Sequence, residues 1–252
     1  VGGNKHHLNS YMMKQHGLNL KAGGAYYMPR LYDFLGRLRD NNNREWFKAN
    51  KTEYDELRAL WLADIDVMLA HMSEWWPSLR SVTAKGCAYR IYRDTRFSLD
   101  KTPLKTYFSA GTGLNGRSSH DPGFYLQLGP SRGSDGDESG LYGGLWCPDA
   151  PTLKKVRKAI VDNIEEFEEI VHAPEVEKFF PGWCGRMLKT IPKGYDRSHP
   201  QAHFLRMLEY GKFYPAGEDF FYDPSWPVRA AGLFSHLRPF VEFLDYSIKE
   251  EV

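Results

Sequence analysis

Two short segments near the middle of the chain constrain the fold more than any other feature. Phe124 to Leu128 alternates along its length, and Leu141 to Cys147 returns after the polar Gly/Asp/Ser run Ser131 to Gly140. Alternation puts successive side chains on opposite faces of a strand, and a turn-rich connection between two such runs reads as a hairpin with a long tip. A hairpin is antiparallel. Around it the apolar spacing changes to three and four. Tyr54, Leu57, Trp61, Ile65, Met68 and Met72 form one stripe, Leu153, Val156, Ile160, Ile164, Phe167 and Ile170 a second, and Phe234, Leu237, Val241, Leu244 and Ile248 a third. Each stripe is one face of a helix. Helices at both ends, with strands and a helix between, predict an α+β fold rather than a βαβ series. The sheet is mostly antiparallel, covered by long helices from the N-terminal third, the middle and the C-terminus.

Local signals set the expected boundaries. Pro29 opens a helix that Asn41-Asn42-Asn43 stops, and a further turn of helix runs from Arg44 to Lys48. Thr52, with Asp55 three residues on, reads as a capping box for the first long helix, which Pro77 ends. The second long helix starts at Asp149-Ala150-Pro151. Its basic residues come early (Lys154, Lys155, Arg157, Lys158) and its acids late (Glu165, Glu166, Glu168, Glu169), an order that opposes the helix dipole. Pro174 to Phe180 is a short helix, Arg186 to Ile191 a strand, and Pro224 to Ile248 a helix kinked at Pro239. Gly143 and Gly144 inside a strand imply close backbone approach by another element or a ligand.

Ala88 to Tyr107, AYRIYRDTRFSLDKTPLKTY, is the functional candidate. Tyr89 to Arg93 has a strand's composition, and Thr95 to Pro103 turns out into a loop. From Lys85 to Lys105 there are six basic residues against Asp94 and Asp100, a net +4 in a chain of net charge +1. A local positive field on a nearly neutral protein marks a site. Arg90, Arg93, Arg96, Lys101 and Lys105 are the candidate ligand-binding residues, since arginine forks hold carboxylate or phosphate through paired hydrogen bonds. Asp94, Asp100 and His199 are candidate acid–base groups. Tyr195 and Asp196 are placed to approach from the loop PKGYD.

RxxRDxRF followed by DK (Arg90, Arg93, Asp94, Arg96, Phe97, Asp100, Lys101) resembles the signature of the family called domain of unknown function 2461. NNNREWF (Asn41 to Phe47), GLW (Gly144 to Trp146) and PKGYDxxHP (Pro192 to Pro200) extend the resemblance from about Pro29 to the end. Where the family commonly has an aromatic after DKTP, this chain has Leu104. The resemblance implies an α+β protein, mostly bacterial, with no established activity.

The remaining observations set bounds. With 252 residues, 42% hydrophobic and 26% charged, the chain is an ordinary globular composition able to bury a sizeable core. Residues 1–27 read as a flexible or over-extended arm and residues 28–252 as one domain. Cys87, Cys147 and Cys184 are far apart without zinc spacing, so free thiols in a reducing compartment are expected and no metal or cofactor is. GTGLNG (Gly111 to Gly116) matches G-x-G-x-x-G by letter, but no helical pattern follows, so a mobile loop without a dinucleotide is expected. No apolar run reaches membrane-span length and no signal-peptide core opens the chain, which leaves a cytoplasmic protein with no membrane partner as the expectation.

Two readings of function stand level. One is an anionic, phosphate- or carboxylate-bearing small molecule bound at the Arg/Lys/Asp cluster, with Arg90, Arg96 and Lys101 converging on a pocket. The sequence marks no nucleophile and leaves enzymatic activity open. The other is a purely structural Arg–Asp network in a partner-binding domain. Nucleic acid ranks behind both: basic and aromatic residues interleave, but the chain lacks bulk positive charge. Oligomeric state is left open.

Overall fold

The computed structural model describes residues 26–113, 121–130 and 139–249. Helices α1 (Met28–Asp40), α2 (Arg44–Ala49) and α3 (Lys51–Trp75) lead through a 3-10 turn (Pro77–Ser81) and α4 (Ala84–Cys87) into the sheet. Strands β1 (Phe108–Thr112), β2 (Gly123–Leu128) and β3 (Gly140–Leu145) are followed by α5 (Ala150–Asp162), α6 (Ile164–Val171) and α7 (Pro174–Phe179). Next come β4 (Trp183–Cys184), α8 (Ala202–Leu205), β5 (Tyr210–Pro215), α9 (Glu218–Tyr222), α10 (Trp226–His236) and α11 (Arg238–Lys249). The strands form one sheet in the order β1-β2-β3-β5-β4, antiparallel throughout. The fold is α+β, as the hairpin and stripes predict.

The hairpin β2–β3 pairs Leu126 with Leu141 and Tyr125 with Tyr142. Phe108, Ala110, Phe124, Leu126, Leu128, Leu141 and Leu145 are buried, and α3 and α10 bring Trp61 against Phe108 (5.1 Å between ring centroids) and Phe234 against Phe124 (4.9 Å). The close approach implied by the two glycines is by protein. A Cβ at Gly144 (φ 141°) would lie 2.0 Å from the Tyr210 carbonyl oxygen on β5, and one at Gly143 would lie 2.7 Å from the Leu237 side chain.

Several boundaries differ, each for a physical reason. Tyr89 to Arg93 is not a ladder strand. It runs beside β1 through a single bridge, Ala88 to Ala110, with the Tyr89 amide donating to Ser109 (2.9 Å), then doubles back through a bridge from Tyr92 to Leu104. The Arg93 amide donates to Pro103, which has no N–H to return the bond, so the ladder stops there. The second stripe spans two helices that break at Asn163, and Glu165 and Glu166 stand in the first turn of α6, where the dipole favours them. The third also spans two, breaking at Leu237, so Pro239 occupies the first turn of α11 rather than kinking a continuous helix. No capping box forms at Thr52: α3 begins at Lys51, and Asp55 pairs with Lys51. Arg186 to Ile191 contributes one bridge, Met187 to Met207, and the named strand there is β4.

Tyr26 and Tyr27, left with the arm by composition, are packed: both hydroxyls donate to the Asp64 carboxylate, at 2.6 and 2.7 Å. The rest of the arm lies outside the described residues. In GTGLNG, Gly111 and Thr112 belong to β1, and Leu114 onward lies outside the described residues, as does the tip 131–138 with its Asp135, Asp137 and Glu138. Among the described residues no helix is long and apolar enough to cross a membrane.

Candidate functional site

The motif builds a loop on the β1 edge of the sheet. Its neck is fixed by buried Ile91 and Leu104. The Asn42 side chain bonds both the carbonyl and the amide of Leu104 (2.8 and 3.1 Å), which ties the neck to the start of α2, and Phe47 packs edge-on against Tyr92. Above the neck the motif's charged residues bond one another. Arg93 donates to Asp100 and to the Thr102 hydroxyl. Asp100 also accepts from the Thr102 amide (2.9 Å). Asp94 accepts from the Arg96 amide (3.2 Å), Nε (3.0 Å) and Nη2 (2.7 Å). The Lys101 amine donates to the Thr95 carbonyl (2.9 Å).

These bonds hold both carboxylates in their charged form. The Arg96 side chain, then its amide, lowers the Asp94 carboxyl to about 2, and the Thr102 amide followed by Arg93 holds Asp100 well below the usual carboxylate range. Both aspartates are thus engaged by bonds within the loop. At the tip, Phe97 and Leu99 are 96% and 102% exposed. The Arg96 guanidinium stands 5.8 Å from the centroid of the Phe97 ring. Arg90 is exposed, and the Lys105 amine lies over Tyr89 (5.1 Å) and Tyr107 (5.7 Å).

The sheet order separates the predicted site residues. Arg90, Arg93, Asp94, Arg96, Asp100, Lys101 and Lys105 share the loop and its neck. Tyr195 and His199 lie in the connection between β4 and β5, the two strands at the other end of the sheet order, three to four strand spacings or about 14–19 Å from β1. Gly194 (φ 99°) makes the turn there. Tyr195 packs against His199 at 5.8 Å, and the His199 Nδ1 accepts from the Gln201 amide (3.2 Å). His199 precedes α8, so it does not share a helix face with His203. Arg96 engages Asp94, and Lys101 engages Thr95. These bonds give no support to a pocket in which Arg90, Arg96 and Lys101 await an anion.

One constellation has no sequence signal. Glu209 is 2% exposed, and its carboxylate accepts from the Arg186 amide (2.8 Å), the Arg186 guanidinium (3.1 Å) and the Cys147 thiol (3.2 Å). Burial pushes the Glu209 carboxyl up, and the bonds from Arg186 and Cys147 outweigh it to hold it below its ordinary 4.5. Cys147 adopts φ 46°, a left-handed conformation uncommon for a side chain of this kind. Burial and then Glu209 raise the Cys147 thiol, and burial raises Cys184 to about 11, so neither is prepared as a nucleophile. Among the described residues no group of three or more His, Cys, Asp or Glu is placed to hold a metal ion.

Fold and loop together define an α+β protein with one antiparallel sheet and a charged, self-bonded loop at its edge. The chain belongs to the family described as a conserved hypothetical protein (DUF2461), whose family model matches residues 30–243 and so takes in both the loop and the PKGYD segment. Comparison with curated proteins and with solved structures found no match.

Proposed function

We propose that the protein acts by docking an acidic partner protein, and that residues 93–102 are the docking element. The carrying observation is the full exposure of Phe97 and Leu99 at the tip of a loop whose neck is bonded on both sides. A free apolar pair on a floppy loop would lose much of its binding energy in ordering; here Arg93–Asp100 and Asp94–Arg96 order the loop beforehand. Burying each tip side chain in a partner's socket contributes about 1.5–3 kcal/mol. The net +4 of the segment from Lys85 to Lys105 selects a partner with an acidic rim and speeds encounter. In this reading the Arg–Asp network is structural and the apolar tip is functional.

The test is a random-peptide display selection against the immobilised chain, with counter-selection on a Phe97→Ser/Leu99→Ser variant. The expected winners combine acidic and apolar residues, weaken with added salt, and bind the double variant at least about tenfold less well. Winners that bind parent and variant equally would contradict the proposal.

A further inference from the structure

A second basic region lies at the far edge of the sheet, and its chemistry differs from the loop's. From Arg186 to Arg206 the chain carries five basic residues against Asp196 alone, and α8 within it packs against α5. Between them Arg157 is buried, 8% exposed. Its Nη2 donates to the Met207 carbonyl (2.9 Å), which sets the guanidinium against the residue that follows Arg206. Nearby, the Tyr210 hydroxyl donates to the Phe204 carbonyl (2.9 Å). The Nε atoms of Arg157 and Arg206 are both buried and have no hydrogen-bond partner among the described residues.

No carboxylate pairs with Arg157 or Arg206 among the described residues. Glu209 is engaged by Arg186 and Cys147, Asp162 by Lys158, and Asp196 by the Ser198 amide and hydroxyl. Arginine does not shed its proton in a protein interior, and a buried charge without a counter-charge is strongly unfavourable. Tyr195, His199 and Arg206 are half-exposed, so the region is reachable from solvent.

We infer that Arg157 and Arg206 bind an oxyanion, the phosphate or carboxylate group of a small molecule, between α5 and the segment that carries PKGYD. Each buried Nε–H supplies a donor, and the bond from Nη2 to the Met207 carbonyl orients the Arg157 fork. The site is independent of the docking loop, which lies across the sheet.

The experiment melts the full chain in phosphate, acetate and chloride at equal ionic strength and follows the 31P line width of inorganic phosphate. A melting temperature raised by phosphate, with line broadening, is expected in the parent and in Phe97→Ser/Leu99→Ser. Arg206→Gln should abolish both responses. Arg157→Lys, which keeps the charge and removes the fork, should weaken phosphate at least about tenfold. A response to acetate alone that Arg206→Gln abolishes assigns the site to carboxylates. No response to either anion in the parent, or one that survives unchanged in both variants, overturns the inference. Arg157→Lys decides the matter if Arg206→Gln does not fold.

Discussion

Arg93 reaches seven residues along the chain to Asp100 and closes the loop that carries Phe97 and Leu99. The pair is at the surface, where ion pairs contribute little to global stability. Arg93→Ala should therefore leave the melting temperature almost unchanged while freeing the loop locally. Limited chymotrypsin digestion reports this directly: cleavage after Phe97 should accelerate several-fold in the variant. Equal cleavage rates would show that the latch does not order the tip.

The loop should also open in acid, within a defined window. Asp94 is lowered from its ordinary 3.8 to about 2, and Asp100 is lowered too. A depressed carboxyl stabilises the folded loop fully above its ordinary pKa, and that contribution is lost as pH falls through the folded value. Loop order should thus persist at pH 4 and disappear toward pH 2. A carboxyl 13C NMR titration in which Asp94 titrates at its ordinary 3.8 would contradict the latch.

The break at Asn163 makes a prediction of sign. Glu165 and Glu166 sit in the first turn of α6, so changing both to Lys should cost about 0.5–2 kcal/mol in denaturant unfolding. In one continuous helix the same change would fall in the later turns and would stabilise.

That break was only half legible. Ile160, Ile164 and Phe167 keep helical spacing across it because α5 and α6 pack on the same core, so periodicity alone joins them. The charge order, basic then acidic, was the signal that two helices were present. The hairpin was readable from the alternation of Phe124 to Leu128 and the polar, turn-rich run that separates it from Leu141 to Cys147. Strands β1, FSAGT, and β5, YGKFYP, were not: small residues make up most of β1, and the buried Lys212 interrupts the inner face of β5 between Tyr210 and Tyr214. The motif was legible as a cluster of charges. Its residues bond one another through i,i+2 and i,i+7 contacts, which sequence does not distinguish from binding an outside anion. Arg157 reads as one more surface charge on a basic helix, and only the packing of α5 against the residues before β5 shows it buried.

Backbone conformation at the end of β3 sets two further expectations. Gly144→Ala drives a Cβ into the Tyr210 carbonyl and should destabilise by on the order of 3 kcal/mol. Cys147, at φ 46°, should behave in the opposite way. Cys147→Gly relieves the left-handed conformation while removing the thiol bond to Glu209, so stability should change by no more than about 1 kcal/mol, whereas β-branched Cys147→Val loses the bond and adds strain and should lower it by about 2 kcal/mol. Chemical denaturation of the three variants checks both; a stable Gly144→Ala would show that β3 and β5 do not approach as closely as described.

Presentation of Phe97 and Leu99 by the ordered loop to an acidic partner is the proposed function. Its most direct measurement is the affinity of an acidic–apolar peptide, selected on the parent chain, for the parent, for Phe97→Ser/Leu99→Ser and for Arg93→Ala. The account predicts a loss of at least about tenfold in the double variant, a smaller loss in Arg93→Ala, and unchanged melting temperatures in both. Equal affinity for parent and double variant would contradict it.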